Sequence, residues 1–81
     1  MDNASRAQLT AFLRETLDRL GDSGELTDEG SLFLSGRLDS VSMLNVIMHL
    51  EQQFSINFAE MDFEVELIDS INSIARLIDH P

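Results

Sequence analysis

Three stretches of this chain space their apolar residues three and four positions apart, and the first two are separated by a glycine-rich segment without that period. From Arg6 to Leu20 the apolar positions are Leu9, Phe12, Leu13, Leu17 and Leu20. From Ser40 to Phe54 they are Met43, Val46, Ile47, Leu50 and Phe54, and from Ser70 to Asp79 they are Ile71, Ile74, Ala75 and Ile78. Such spacing predicts three amphipathic helices whose apolar stripes must cover one another. With 81 residues, no cysteine and 43% hydrophobic content, the chain has no disulfide or thiolate–zinc support and depends on one core. An all-α fold in a single domain, residues 1–81, is the expectation.

Asn3 or Ser5 is expected to cap the first helix and Gly21 to end it. Asp39 and Ser40 suit the start of the second, and Asp69 or Ser70 the start of the last, which Pro81 stops. Gly21 to Asp39 holds glycine at 21, 24, 30 and 36 together with Asp22, Ser23, Asp28 and Ser31. It reads as a long ordered loop, pinned to the core by Leu26, Leu32, Phe33, Leu34 and Leu38. Glu60 to Glu66 alternates acidic and apolar residues, a strand pattern, yet a lone acidic strand in a helical chain has no partner. A short, loosely wound acidic helix is expected there instead. The architecture is then a small four-helix bundle: three longer helices, a short helix III, and a long loop between helices I and II.

Fifteen Asp and Glu against five Arg, with no Lys, give a formal net charge of −10. That surface repels phosphate backbones and anionic headgroups, which argues against nucleic acid and membrane insertion and favours partners presenting Arg and Lys. Solubility alone would also account for it. The most apolar stretch, Val41 to Leu50, is broken by Ser42, Asn45 and His49 and is no membrane span. The N-terminus lacks the basic start and apolar run of a secretion signal. A soluble, cytoplasmic, monomeric protein is expected.

Catalysis by the chain itself finds little support. Ser40 and His49 are nine positions apart on one helix, hence on opposite sides, and no G-x-S-x-G surrounds the serine. His80 sits at the chain end. An EF-hand register started at Asp22 puts Gly24 and Leu26 at ligand positions and Phe33 where a glutamate is needed. Glu60, Asp62, Glu64, Glu66 and Asp69 read as a solvated acidic face, and Met43 and Met48 as packing residues and not ligands, although Met48 faces outward on the helical wheel. No metal is expected.

What stands out is Gly36-Arg37-Leu38-Asp39-Ser40-Val41, a serine delivered by a long loop to the first turn of a helix. An N-cap alone is one reading. Two features point further. Val41, Leu44 and Met48, with Asn45, fall away from the buried stripe, and an apolar patch there fits a docking surface. The helix start also suits a phosphate carried on the hydroxyl, whether attached as a prosthetic group or by a kinase.

These residues resemble the acyl carrier protein family, including its peptidyl and aminoacyl carriers. The resemblance rests on Leu38-Asp39-Ser40-Val41, then Leu44, Val46, Ile47, Leu50, Glu51 and Phe54, then Ile56, and finally Asp69-Ser70-Ile71-Asn72-Ser73-Ile74-Ala75. It spans Arg6 to Asp79. It implies that Ser40 bears 4′-phosphopantetheine, donated by coenzyme A through a phosphopantetheinyl transferase, with Asp39 beside it orienting the transferase's metal-bound coenzyme A or its basic residues. The arm would carry an activated acyl or aminoacyl group as a thioester between partner enzymes, the protein catalysing nothing itself. Helix II is the family's recognition element. Here it has Glu51 as the only acid between Ser40 and Phe58, so partners are expected to dock through Val41, Leu44, Asn45 and Met48. This departure implies a specialised carrier loaded by an acyl- or aminoacyl-adenylating ligase and unloaded by a downstream acyl transferase or synthase. The competing class is a small acidic interaction module whose Ser40 is unmodified or phosphorylated.

Overall fold

The helices are α1 (Asn3–Arg19), α2 (Ser40–Phe54) and α3 (Ile71–Asp79), with 3₁₀ turns at Phe58–Glu60 and Val65–Ile68 joining the last two, in a computed structural model that describes residues 1–80. Among the described residues there is no strand, and the expected all-α class holds. The helix stop expected at Pro81 lies outside the described residues.

The cap of α1 is Asp2, whose carboxylate accepts the Ser5 amide at 2.7 Å, in place of the expected Asn3 or Ser5. A carboxylate at this end also matches the positive pole of the helix, so the winding starts one residue earlier and takes Asn3 and Ser5 into its first turn. At the other end Gly21, at φ +80°, lets the Asp22 amide reach the Leu17 carbonyl at 2.9 Å and its own amide reach that of Asp18 at 3.0 Å. This double closure is a Schellman motif and satisfies the last carbonyls of α1. Leu20, expected in the buried stripe, is instead exposed because it occupies the cap beyond the last turn.

Leu9, Leu13 and Leu17 of α1, Val46 and Leu50 of α2, and Ile71 and Ile74 of α3 are fully buried against one another, with Leu32 and Ile68 completing the core. Each is worth about 1.5–3 kcal/mol of burial, which is the main stabilising term for a chain of this size. Leu77 is buried as well, outside the predicted stripe, because α3 is covered on two sides by α1 and the second 3₁₀ turn.

In the segment expected to form a short acidic helix III there are two 3₁₀ turns with extended backbone between them. Met61, Phe63 and Leu67 are half-buried against the core and Val65 is half-buried, while Asp62, Glu64 and Glu66 are exposed. The period-two alternation was therefore a real signal of extended chain; packing on the helices replaces the strand partner it lacks. Phe58 anchors the segment, meeting Phe63 edge to face at 5.6 Å.

Candidate functional site

Ser40 is the first residue of α2 and is exposed. The Asp39 carboxylate accepts the Ser42 amide at 2.8 Å, and the Asp39 carbonyl accepts that of Met43 at 2.9 Å. Hydrogen bonding from Ser42 holds the Asp39 carboxyl below the usual carboxylate range. Asp39 thus does the capping, as expected of it, and Ser40 carries a solvent-facing hydroxyl at the positive end of a 15-residue helix.

The loop that delivers Ser40 is held from three directions. Arg37 forks onto the Asp22 carboxylate at 2.9 and 3.2 Å and onto the carbonyls of Glu25 and Gly24 at 2.8 and 3.2 Å. The Arg37 guanidinium, with the Gly24 amide, lowers the Asp22 carboxyl to about 2. Arg14 of α1 reaches the Gly24 carbonyl at 2.7 Å and also the Asp22 carbonyl. From the far end of the chain Asp69 accepts the Ser31 hydroxyl at 2.6 Å and the amides of Phe33 and Leu34 at 2.7 and 2.9 Å. Its carbonyl takes the Leu32 amide at 2.7 Å. Partial burial works against its ionisation, but the Ser31 hydroxyl and the Leu34, Phe33 and Leu32 amides outweigh it, and the carboxyl lies below its ordinary value.

Asp69 is therefore neither a cap of α3 nor part of a solvated acidic face, the two places the sequence offered it. Ser70 is the cap, accepting the Ser73 amide at 3.0 Å. Leu34 also departs from expectation. Leu32 and Leu38 are buried and Leu26 and Phe33 half-buried, but Leu34 is 62% exposed, because the Asp69 clamp and Gly36 at φ +85° turn the backbone outward there. Arg37, Asp22 and Asp69 were not identifiable as loop anchors, since the pairings run 15 and 36 to 38 residues along the chain.

Val41, Leu44 and Met48 are 67%, 62% and 54% exposed, and Asn45 is exposed beside them, so α2 presents the outward face the helical spacing predicted. The single acid of α2, Glu51, turns away to accept the Phe58 amide at 3.2 Å. The face around Met48 consequently carries no carboxylate from α2 itself. His49 lies on the other flank, stacked on Phe12 of α1 with centroids 4.3 Å apart, and burial lowers its pKa. Beside it a shallow groove of about 260 Å³ runs between Phe12, Arg19, Asn45, Met48 and Gln52. Among the described residues no helix is long and apolar enough to cross a membrane.

The site is thus a solvent-facing serine at a capped helix start, delivered by a clamped loop and bordered by an apolar helix face. The phosphopantetheine attachment site family model matches residues 7–79, and the chain belongs to that family. No curated protein and no solved structure matches it. Members of the family hold 4′-phosphopantetheine covalently; they are in general carriers, not enzymes, and interact with phosphopantetheinyl transferases and the enzymes that use the carried group.

Proposed function

We propose that residues 1–81 act as one monomeric carrier domain in which the Ser40 hydroxyl is the attachment point. The observation that carries this reading is an exposed serine at the first position of α2, beside its capping aspartate, inside the matched span. The residues fit the group. Nothing has to move to free the hydroxyl, and a phosphodiester there meets the positive helix end. The adjacent carboxylate, Asp39, is already engaged with the Ser42 amide. In the loading step the Ser40 oxygen forms a bond to the pantetheine-bearing phosphorus of coenzyme A. The pyrophosphate link breaks, adenosine 3′,5′-bisphosphate leaves, and the hydroxyl proton passes to a base of the transferase. The attached group supplies a thiol on a flexible arm, which this cysteine-free chain otherwise lacks.

The finer reading follows from α2. With Glu51 occupied by Phe58, partner enzymes dock through Val41, Leu44, Asn45 and Met48 more than through salt bridges on that helix. That supports a specialised carrier served by an adenylating ligase and a downstream acyl transferase or synthase, over a housekeeping one. Val46, Leu50, Ile71 and Ile74 are packed without exposure, which favours a small acyl or aminoacyl cargo held in solvent. A long acyl chain found buried among them would contradict that choice of cargo.

The test is intact mass after incubation with coenzyme A and a broad-specificity transferase. The expected result is a gain of one phosphopantetheine by the native chain and none by Ser40→Ala. A folded native chain that gains nothing would refute the carrier reading and leave an interaction module, to be pursued through whatever binds the apolar face.

A further inference from the structure

The geometry points to Asp69 as the positioning residue of the attachment loop, setting the outward posture of Leu34 that the transferase meets when it engages Ser40; this rests on the carrier reading. Asp69 follows the second 3₁₀ turn, 29 residues beyond the serine, and belongs to no part of the attachment sequence. Yet its carboxylate holds three donors of the loop, the Ser31 hydroxyl and the amides of Phe33 and Leu34, and its carbonyl holds a fourth at Leu32. Two consecutive amides on one carboxylate oxygen determine the direction of the backbone between them, and so where the Leu34 side chain points.

The same clamp is braced on its far side. Ser31 donates to Asp69 and accepts the Ser35 amide at 3.0 Å, while the Leu38 amide returns to the Leu32 carbonyl at 2.8 Å. The stretch from Leu32 to Leu38 is thereby a closed loop. Its base stands two residues before Ser40, and Leu34, 62% exposed, lies towards its tip. Leu34 is a large exposed apolar side chain six residues before Ser40, on a loop whose base lies two residues from it, so an enzyme that reaches the Ser40 hydroxyl meets this loop on its approach. A buried Leu34 would have been the cheaper arrangement for folding alone; a carboxylate with three donors spent on holding it out indicates that its posture is used.

The experiment measures steady-state modification by the transferase at varied concentrations of the full chain, alongside amide hydrogen exchange at Phe33 and Leu34. The variants are Asp69→Ala, Leu34→Ala and the pair combined. Asp69→Ala, which removes the oxygen that both amides share, is expected to release them and to raise KM for the chain roughly three- to tenfold, as for one lost hydrogen-bonded contact, with kcat kept within about twofold. Leu34→Ala should raise KM by a similar factor, and the double variant should be little worse than either single one, because Leu34 contributes only when Asp69 holds it. Released amides with unchanged KM, or a double variant whose factor is the product of the two, would overturn the inference while leaving Ser40 as the attachment point. If Asp69→Ala does not fold, Ser31→Ala decides: a raised KM with kcat retained supports the clamp, and an unchanged KM overturns it. A native chain that is not modified at all refutes the carrier reading and this inference with it.

Discussion

Asp39 and Ser40 divide the start of α2 between them, the carboxylate taking the Ser42 amide and the hydroxyl facing water. Capping and charge can be separated at Asp39, because asparagine caps a helix as well as aspartate does. Asp39→Asn should keep the melting temperature within about 2 °C while slowing modification by the transferase roughly tenfold, if the negative charge is what the enzyme's basic groups read. Asp39→Ala should lose both, in thermal melts and in the modification assay. Titration provides a second residue-level expectation. His49 has a lowered pKa from burial, so the folded state disfavours its charge; its contribution to stability is complete above 6.5 and is lost as pH falls below that value. Asp22, held near 2 by Arg37, contributes above 3.8 and is lost as pH falls from there towards 2, and the lowered carboxyl of Asp69 acts in the same direction. Acid unfolding followed by circular dichroism should show both stages, with His49→Gln removing the upper one alone.

At the scale of elements, α2 is a helix with one face in the core and an apolar face in water, and the second face is free of carboxylate because Glu51 is engaged with the Phe58 amide. Met48→Glu is expected to leave the melting temperature unchanged, since the side chain is more than half exposed, and to weaken transferase binding roughly tenfold by placing a charge in an apolar contact. The helix α3 depends on its cap more than its length suggests. It spans nine residues, too few to be stable alone, and Ser70 is buried where its hydroxyl meets the Ser73 amide. Ser70→Ala should cost about 1 kcal/mol, lowering the melting temperature by about 4–8 °C in calorimetry.

For the whole molecule the charge is the governing quantity. The radius of gyration is 11.8 Å, against about 11.7 Å for a compact chain of this length, so a net charge of −10 is confined to a small sphere. On the proposed reading, encounter with a basic partner is steered by that field and the contact itself is made by the uncharged face of α2. Raising the salt concentration should therefore slow association with the transferase and leave dissociation nearly constant, a separation that surface plasmon resonance resolves.

The three helices, their lengths to within a few residues, the serine at the head of α2 and the apolar face beside it were all determined by the sequence. Each depends on neighbours no more than a few positions away: a 3.6-residue period in α1, α2 and α3, a capping aspartate at 39, and a glycine at 21 free to take a positive φ. What only the tertiary structure decided are the pairings between distant residues. Asp69 could be read locally only as a cap or a surface charge, and its engagement with Ser31, Phe33 and Leu34 exists because α3 brings it under the loop. The outward Leu34 follows from that engagement, as the lack of a carboxylate on the α2 face follows from the turn of Glu51 to Phe58. Extended chain at Met61 to Glu64 was likewise written in the alternation, but whether a strand or the side of a helical core would receive it depended on what lay next to it in space. Hydrogen bonds that close over thirty or more residues carry no local period, so only the folded backbone can select them.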